Sequence, residues 1–354
     1  MNQSTWRVLG ATGFVGSATM TRLQQLGIGA APVAAPRLAT SATGAGQVIA
    51  EARRLESVID YLADSFAGAE VVVNAAGLAA PGQQELPPLV GANALLPAVV
   101  AVAAQRTGVT RVLHLSSAAV QGARPRLDAS PDTSPFSAYS FSKALGEDCL
   151  LRLREFITAT AKVGAAPGSA GSDYPAAPSS RPARVAGDHA AQLCIIRATS
   201  VQGSGRDTTT ALARFAGSFL ASVAGSGTQH TPVTSVQALA EFVVAAGLRE
   251  EPLPEILLQP WEGATTASVI RDAGRREPHR IPAPLARLLV RGGYAVSGLS
   301  GDRLRAAVRR VELAWFGQDQ DDAWTERHGL LPERHVGAVL RQAHQAAGVS
   351  RRGR

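Results

Sequence analysis

Two kinds of apolar pattern follow one another along the chain. Short, nearly continuous apolar runs occur at 8–9, 30–35, 70–77, 111–117, 191–197 and 255–259. Such runs are typical of parallel strands that are buried on both faces. Amphipathic stretches lie between the first five of these runs, at 52–66, 89–105 and 136–153. Their apolar residues are three or four positions apart, as in amphipathic helices. Strands and helices that alternate in this way predict an α/β fold with a doubly wound parallel sheet.

A glycine motif directly follows the first strand. Gly10, Gly13 and Gly16 come after Val8-Leu9, and a helical stretch comes next. Glycines at this spacing permit a tight turn, let backbone N–H groups approach a pyrophosphate, and let the helix pack close to the strand. The phosphates would lie at the helix N-terminus, where unpaired N–H groups favour anions. The residues assigned to this predicted dinucleotide site are Gly10, Thr12, Gly13, Phe14, Val15 and Gly16.

The segment after the second strand distinguishes two dinucleotides. NAD sites usually carry an acidic residue about 20 positions beyond the glycine motif, on the ribose 2′-hydroxyl. No acidic residue occurs from Ser17 through Ala50, and Arg37 lies near the expected position. A guanidinium can pair with a 2′-phosphate, so the sequence favours NADP over NAD. The alternative is that Arg37 is an ordinary surface residue.

Composition argues against several other classes of protein. The net charge is +7, and we interpret the basic excess as arginines scattered along the chain. Nucleic-acid binding would call for clustered basic residues with aromatic residues between them, so no nucleic-acid partner is expected. Cys149 and Cys194 lie in apolar runs and suggest neither a disulfide framework nor a metal site. The most apolar candidate for a membrane span, 284–296, contains Arg287 and Arg291. Without a signal peptide or a span, we expect a cytoplasmic protein with no membrane partner.

A serine, a tyrosine and a lysine form the candidate catalytic group. Tyr139 and Lys143 are four residues apart, on one face of a helix. A neighbouring lysine favours the phenolate and lowers the tyrosine pKa from about 10. Ser117, at the end of a strand, could hold the same reacting oxygen. The pair alone fits an ordinary amphipathic helix equally well, but Lys143 is one of only two lysines in an arginine-rich chain.

Six motifs occur in a fixed order along the chain. They are Gly10-x-x-Gly13-x-x-Gly16, Asn74-Ala-Ala-Gly77, Asn93, Ser116-Ser117-Ala-Ala-Val-Gln-Gly122, Tyr139-Ser-Phe-Ser-Lys143 and Arg197-Ala-Thr-Ser-Val-Gln-Gly203. Together they resemble an extended short-chain dehydrogenase/reductase of the NAD-dependent epimerase/dehydratase family. The resemblance runs from residue 6 to about 260, and Tyr139 follows Ser117 by 22 positions, as in the family.

The resemblance implies a role for each matching residue. Tyr139 would be the general acid/base, Lys143 would lower its pKa and bind the nicotinamide ribose, and Ser117 would hold the reacting oxygen. Ser117 is preferred to Ser116 because the family places the catalytic hydroxyl directly before its Ala-x-Val-x-Gly run. Asn93 would be a support or proton-relay residue, and a purely structural role is equally open. The remaining cofactor-site assignments are Asn74, Ala75, Ala76, Asn93, Ser116, Tyr139 and Lys143.

The resemblance also implies a domain organisation. A Rossmann-like NAD(P)-binding domain would span 1–202 and be completed by 233–260. A Pro-, Gly-, Ala- and Ser-rich stretch at about 163–188 indicates a flexible insertion in this domain. A smaller, mostly helical substrate lobe would comprise 203–232 and 261–354. Helical patterns in and around this lobe occur at 208–223, 236–248, 265–273, 303–316 and 332–347.

The activity implied is that of an NAD(P)-dependent oxidoreductase or epimerase on a hydroxyl or keto group, with a nucleotide sugar as substrate. Ala118 and Ala119 stand where the family's 4,6-dehydratases carry an Asp-Glu pair, which argues against dehydration. Two alternatives stay open: an NADPH-dependent reductase of a non-sugar carbonyl, such as a steroid or polyketide-type ketone, and a non-catalytic dinucleotide-binding regulator. Family analogy suggests a homodimer through helices 89–105 and 136–153.

Overall fold

A six-stranded parallel sheet forms the centre of the protein. The structure, a computed structural model, describes residues 5–79, 85–164, 191–299 and 304–352. Within those ranges the strands are β1 (Trp6–Leu9), β2 (Ala30–Val33), β3 (Val71–Asn74), β4 (Arg111–Ser117), β5 (Arg126–Leu127), β6 (Gln192–Ala198), β7 (Ser200–Gln202), β8 (Ser222–Ala224), β9 (Val233–Ser235), β10 (Ile256–Leu258), β11 (His279–Ile281) and β12 (Asp319–Gln320).

Helices connect and cover the strands. They are α1 (Phe14–Gln25), α2 (Ala45–Ala52), α3 (Glu56–Phe66), α4 (Leu86–Val90), α5 (Leu96–Gln105), α6 (Ala138–Gly164), α7 (Asp207–Ala216), α8 (Val236–Leu248), α9 (Thr266–Gly274), α10 (Ala283–Leu299), α11 (Arg305–Phe316), α12 (Ala323–Arg327) and α13 (Val336–Arg352). A π-helical turn, Gly91–Leu95, joins α4 to α5, and a 3₁₀ turn, Ala118–Gln121, follows β4.

The order of the strands determines where a ligand can bind. The sheet runs β2-β1-β3-β4-β6-β10, and all neighbouring strands are parallel. The chain passes from β1 to β2 on one side and then to β3 on the other, so the order reverses at β1. Open α/β sheets bind ligands outside the carboxyl ends of the strands at such a reversal. The predicted fold class, a Rossmann-like doubly wound parallel sheet, is confirmed.

The sheet is buried between two apolar cores. One face packs against α2, α3, α5 and α6 through residues such as Val72 and Val112. The other face packs against α1 and α8 through residues such as Trp6 and Leu113. The Trp6 ring occupies the space beside Gly247, where an added Cβ would overlap it. Each buried aliphatic side chain contributes about 1.5–3 kcal/mol through removal from water, so the sheet is a rigid platform for its strand ends.

Several predicted elements differ from the observed ones. The predicted helix 52–66 is two helices, because α2 already ends at Ala52 and α3 begins at Glu56. The predicted helix 208–223 ends at Ala216, since Gly217 closes it and Ser222 enters β8. The sequence analysis considered the region of α10 only as a candidate membrane span and did not predict a surface helix there. In the structure this region is a helix whose leucines face outward rather than into a core. Of the predicted insertion, residues 165–188 lie outside the described part of the chain.

The C-terminal part of the chain has a smaller core of its own. Helices α7, α9 and α13 pack together with β8, and the buried residues include Val223, Ile270 and Leu340. These elements belong to the segments predicted as the substrate lobe, while α8 and β10 pack with the large sheet. The exact boundaries of the two domains stay a prediction.

The carboxylate of Glu262 links this lobe to the main domain. The side chain is buried and accepts hydrogen bonds from Thr234 Oγ1 (2.6 Å), Ser235 N (2.5 Å) and Ser235 Oγ (3.0 Å) at the start of α8. It also accepts from the backbone N–H groups of His335 and Val336, both at 2.8 Å, at the start of α13. A single buried anion therefore satisfies donors at the N-termini of two helices, where negative charge is favourable.

The stretch Leu86–Gln105 is long and apolar enough, by length and composition alone, to cross a membrane. Most of it is buried inside the fold, between the sheet, α3 and α6, so packing within the chain accounts for its composition. This stretch was also predicted to join a homodimer together with the helix at 136–153. Helix α2 lies against both α5 and α6. The homodimer predicted through these helices stays a prediction.

A buried ion pair ties the sheet to α6. Arg197 on β6 and Glu147 on α6 are essentially inaccessible to water, and Arg197 Nη2 lies 2.7 Å from Glu147 Oε2. Arg197 Nη1 donates to the carbonyl oxygens of Asp128 (3.1 Å) and Ser130 (2.7 Å). Ser116 Oγ on β4 donates to Glu147 Oε1 at 2.5 Å. Two strands, one helix and one loop are thus joined by a single hydrogen-bonded network.

Breaking this pair should destabilise the protein far more than breaking an exposed one. We expect Arg197→Met to lower the free energy of unfolding by about 3–5 kcal/mol, because it leaves the Glu147 carboxylate buried without its partner. The matched control is Arg152→Met, which removes an exposed pair with Asp148 at 2.7 Å and should leave the urea midpoint nearly unchanged. Equal shifts of the midpoint in the two variants would contradict the importance given to the buried pair.

Candidate active site

The glycine turn after β1 forms a close-packed cradle. Gly10 has φ +74°, and an added Cβ there would lie 2.7 Å from the backbone nitrogen of Ala76. A Cβ on Gly16 would overlap the carbonyl of Gly10. Helix α1 begins at Phe14 with Gly13 as N-cap, no side-chain cap and no acidic residue in its first turn. The first N–H groups of α1 are therefore available to an anion, and the cradle fits a dinucleotide pyrophosphate.

The end of β3 faces this cradle. Asn74 is buried, and its Oδ1 accepts from the N–H of Ala76 at 3.2 Å, while its Nδ2 has no partner among the described residues. The N–H of Ala75 donates to the carbonyl of Leu9 at 3.0 Å. The small side chains of Ala75 and Ala76 thus lie beside Gly10 at the reversal of strand order, which is where the sequence analysis assigned them.

Asn93 holds the loop that follows β3. It lies in the π-helical turn, and its Oδ1 accepts from Leu78 N at 3.1 Å. Its Nδ2 donates to the carbonyl of Leu78 and to Ser142 Oγ, both at 3.0 Å. Both the oxygen and the nitrogen of the Asn93 amide are engaged in hydrogen bonds within the protein. These contacts are those of a support residue. A role for Asn93 as a proton relay stays a prediction. An added Cβ on Gly77 would lie 2.7 Å from Asn93 Oδ1 and 3.1 Å from Lys143 Nζ.

Arg37 lies beyond the end of β2, which stops at Val33. Its side chain is exposed. The structure therefore leaves the guanidinium in solvent at the edge of the crevice, and its assignment to a cofactor phosphate stays a prediction.

Ser117 and Tyr139 are brought together at the end of β4. Ser117 lies close enough to Tyr139 for its hydroxyl to act on the Tyr139 pKa, and Ser117 Oγ accepts from the N–H of Ala119 at 3.2 Å. Burial raises the pKa of Tyr139 above its usual range, while Ser117 and the charge of Arg206 act to lower it. The predicted lowering of this pKa by Lys143 is therefore wrong, because burial has the largest effect and the opposing effects come from Ser117 and Arg206.

Lys143 lies one turn along α6 and is fully buried. Its Nζ donates to the carbonyl oxygen of Leu115 at 2.9 Å, so the ammonium group points at the β4 backbone. Burial lowers the pKa of Lys143 to about 8, and the neighbouring Glu147 acts in the opposite direction. A lysine with this pKa exchanges its proton close to neutral pH, which suits a site that moves protons.

Ser116 and His114 point to the other face of β4. Ser116 is the buried donor to Glu147, so its hydroxyl belongs to the ion-pair network and is directed away from Tyr139. His114 is buried, and neither ring nitrogen has a partner among the described residues. Burial, together with the nearby charge of Lys143, keeps its pKa well below the ordinary value. His114 is therefore a neutral packed residue.

Arg206 is a site residue that the sequence analysis missed. Its guanidinium carbon lies 4.8 Å from the ring centroid of Phe14, in cation–π geometry. The Phe14 ring fills the space beside Gly203, where an added Cβ would lie 2.5 Å from it. Arg206 thus connects the glycine cradle to the segment after β7 and acts electrostatically on Tyr139. The sequence signal that could have indicated Arg206 is the pair of glycines, Gly203 and Gly205, that precedes it.

A cavity of about 580 Å³ lies between the segment after β4 and the C-terminal lobe. Arg309 Nη2 donates to the carbonyl of Gly122 at 3.0 Å, and Gln318 Nε2 donates to that of Arg124 at 2.6 Å, so α11 and the residues after it form its far wall. Its polar lining side chains are Arg124, Thr228, Gln229, His230, Arg309, Glu312, Gln318 and Asp319. Such a wall suits a polar ligand with anionic groups more than a large apolar one.

The lowered pKa of Lys143 predicts a pH-dependent stability. The unfolded chain holds this proton up to a pKa near 10.5, whereas the folded protein releases it near 8. Stability relative to a Lys143→Met variant should therefore rise with pH between these values. We expect the difference in free energy of unfolding, wild type minus variant, to increase by about 2 kcal/mol from pH 7 to pH 9.5 in urea titrations. A difference that stays constant with pH would show that Lys143 keeps its ordinary pKa.

Residues 6–166 match the family model described as the NAD dependent epimerase/dehydratase family. This segment contains the glycine cradle, the end of β3, Ser117, Tyr139 and Lys143. No curated protein sequence matches the chain at a significant level.

Solved structures of the same fold cover nearly the whole chain. A UDP-glucuronic acid 4-epimerase from Bacillus cereus in complex with NAD superposes with a TM-score of 0.60 and 14% identity, over 97% of this chain and 96% of that one. MoeE5 in complex with UDP-glucuronic acid and NAD gives 0.58 and 18%, over 99% and 100%. A UDP-glucose 4-epimerase from Thermus thermophilus in complex with NAD gives 0.56 and 16%, over 97% and 99%. At these identities the likeness establishes the fold alone.

Proposed function

Since residues 6–166 match the model of the NAD dependent epimerase/dehydratase family, we propose that the protein oxidises or epimerises a hydroxyl-bearing carbon of a nucleotide sugar with a bound dinucleotide. The observation that carries the proposal is the placement of Ser117 at the end of β4 with Tyr139 and buried Lys143 on α6, whose Nζ donates to the β4 carbonyl of Leu115. This group lies at the strand ends next to the glycine cradle, where an oxygen of a substrate could meet an acid/base and a dinucleotide together.

The roles of the three side chains follow from their chemistry. Tyr139 would take the proton from the substrate hydroxyl, or return it, through its phenolic oxygen. Ser117 Oγ, which acts to lower the pKa of Tyr139, would hold the same substrate oxygen. Burial raises the pKa of Tyr139, so the cationic charges of Lys143 and Arg206 would have to favour the phenolate during the reaction.

The dinucleotide would be held by groups on four segments. The first N–H groups of α1 would bind its pyrophosphate, Asn74 to Ala76 would line its path, and Lys143 would hydrogen-bond the nicotinamide ribose. When bound, the nicotinamide supplies a hydride acceptor and donor. For the adenosine end we propose NADP as the preferred form, because no acidic residue follows β2 before Glu51 and Arg37 is available to a 2′-phosphate. The solved neighbours contain NAD, so this preference needs a direct test.

The proposed substrate class rests on the polar cavity between the segment after β4 and the C-terminal lobe, whose lining does not include Ser117, Tyr139 or Lys143. Arg124, His230 and Arg309 line its walls together with two carboxylates. A sugar linked to a nucleoside diphosphate offers hydroxyls and anionic phosphates to such walls, whereas a steroid or polyketide-type ketone offers mainly apolar surface. UDP-sugars are the ligands in the MoeE5 complexes. We also propose that the enzyme acts in the cytoplasm.

Tyr139→Phe should abolish proton transfer while leaving the dinucleotide site intact. With NAD⁺ or NADP⁺ and UDP-glucose or UDP-glucuronic acid, we expect its turnover to fall by about 10²–10⁴-fold. Turnover would be followed by absorbance of the reduced dinucleotide and by proton NMR of the sugar. The control Tyr61→Phe removes an exposed hydroxyl that donates to the carbonyl of Ala34 and should keep full turnover. Unchanged turnover in Tyr139→Phe would refute its role, and loss of dinucleotide binding would indicate misfolding.

Arg37→Gln tests the choice of cofactor. If Arg37 pairs with a 2′-phosphate, the variant should weaken NADPH binding by about 10–100-fold, the loss of a charge-assisted hydrogen bond, with little change for NADH. Fluorescence titration of both dinucleotides measures this, and Arg54→Gln, at another exposed arginine, is the control. Equal NADPH affinity in wild type and variant would make Arg37 a surface residue, and co-purified NAD⁺ that does not exchange would favour an epimerase that uses NAD.

A further inference from the structure

Helix α10 carries a row of exposed apolar side chains. Leu285, Leu288, Leu289, Val296 and Leu299 are 47%, 66%, 51%, 55% and 92% exposed. At about 100° per residue these positions fall within about 100° of arc on one side of the helix. We call this row the α10 stripe. Such a row on a surface helix marks a face that meets another apolar phase.

The stripe is not the face by which α10 packs on the protein. The buried residues of this helix are Ala286, Val290 and Ser297, which lie on a different side at the same helical period. Helix α10 is held there by α11, and Tyr294 donates to Glu312 of α11 at 2.6 Å. The packing of α10 is therefore satisfied without the stripe, and the leucines are left outward by the fold.

The segment around the stripe holds most of the net charge of the chain. Residues 275–316 contain nine arginines and three acidic residues, an excess of six positive charges out of a total of seven. The arginines are therefore concentrated rather than scattered as the sequence analysis assumed. Arg287 and Arg291 lie on α10 itself and are exposed. Arg310, on α11, is exposed as well.

We propose that the α10 stripe docks on the surface of an anionic lipid bilayer. An interfacial helix buries leucines at the boundary of headgroups and acyl chains while arginines bind lipid phosphates, and α10 with its surroundings has both features. At the same helical period Arg291 lies about 60° beyond Leu288, the edge of the stripe, and its long side chain can reach the headgroups while its stem covers apolar surface. Arg287 lies farther round the helix, with its guanidinium carbon 5.9 Å from the ring centroid of Phe316, and adds to the positive charge above the stripe. The protein would lie on the membrane without crossing it.

Charge distinguishes this partner from two others. A second copy of the chain docked through the same face would bring the same positive excess against itself, which is unfavourable. A nucleic acid would match the arginines but would leave the leucines without apolar partners. An anionic bilayer has negative headgroups outside and apolar acyl chains a few ångströms deeper, so it offers partners to the arginines and to the leucines at the same time. The proposal replaces the expectation that the protein has no membrane partner.

A second exposed apolar pair lies close to the same basic segment. Phe219 and Leu220 are 77% and 61% exposed. Their loop is held by Arg276, whose Nη1 donates to the carbonyl of Ser218 at 3.3 Å, and the N–H of His279 donates to Ala221 O at 2.9 Å. The Phe219 loop is thus anchored to the start of β11, the strand that leads into α10. It offers an additional apolar contact for the same bilayer.

Vesicle binding of the full chain tests the proposal. Flotation with vesicles of phosphatidylcholine alone, or with about 30% phosphatidylglycerol, would give the partition coefficient, which we expect to be at least about tenfold higher with the anionic lipid. Leu288→Asn with Leu289→Asn should lower it by about tenfold or more, and Arg287→Gln with Arg291→Gln by about 30-fold. Raised salt should weaken binding.

Matched variants separate the stripe from general charge or stickiness. Leu26→Asn with Leu331→Asn changes leucines of similar exposure elsewhere, and Arg54→Gln with Arg214→Gln removes two other exposed arginines; both should bind like wild type. Thermal melting verifies that each variant is folded. Absence of binding to anionic vesicles, or equal losses in stripe and control variants, would overturn the proposal. So would a dimer in sedimentation that Leu288→Asn dissociates in a protein that does not bind vesicles.

Discussion

The candidate site depends on the buried pair between Glu147 and Arg197. Glu147 lies one turn after Lys143 on α6, so whatever fixes Glu147 also fixes the lysine and the tyrosine before it. Arg197 belongs to β6 and simultaneously holds the loop at Asp128 and Ser130. An ion pair removed from water tolerates little change in geometry, because either charge left alone is costly. The network therefore sets the distance between α6 and the ends of β4 and β6.

Burial also determines the protonation chemistry of the site. The same exclusion of water lowers the pKa of Lys143 and raises that of Tyr139, so both groups are biased toward their neutral forms. The hydrogen bond from Lys143 to Leu115 keeps the ammonium against the strand backbone. Proton transfer at Tyr139 therefore depends on the cationic charges that lie around it, since burial alone keeps its phenol protonated at neutral pH.

The sequence predicted the centre of the fold better than its periphery. Strand β4 and helix α8 have the predicted bounds, since a buried strand and a helix inside a large core are specified by continuous or periodic apolar residues. Helix α10 was not predicted, because its buried face consists of Ala286, Val290 and Ser297 and is less apolar than its exposed face. Its hydrophobic pattern therefore does not show which side packs on the protein. Short strands such as β8 and β11 are set by pairing with one another, which a linear pattern does not reveal.

The site was predicted in part for a similar reason. Ser117, Tyr139 and Lys143 stand in a motif with fixed spacing, and the fold brings the serine to the tyrosine while α6 carries the lysine. Arg206 comes from a separate segment and reaches Phe14 only through the packing of Gly203. The net effect on the pKa of Tyr139 was misjudged because it depends on desolvation, a property of the whole surrounding structure.

The carboxylate of Glu262 has a consequence for how the chain is made. Its donors at the start of α8 precede it in the sequence, whereas those at His335 and Val336 follow more than 70 residues later. During synthesis on the ribosome the acid is available long before its last two donors have emerged. Until then this position holds a carboxylate that cannot be buried without penalty. The lobe can therefore close only late in translation, and the growing chain must keep its earlier part soluble with that surface still open.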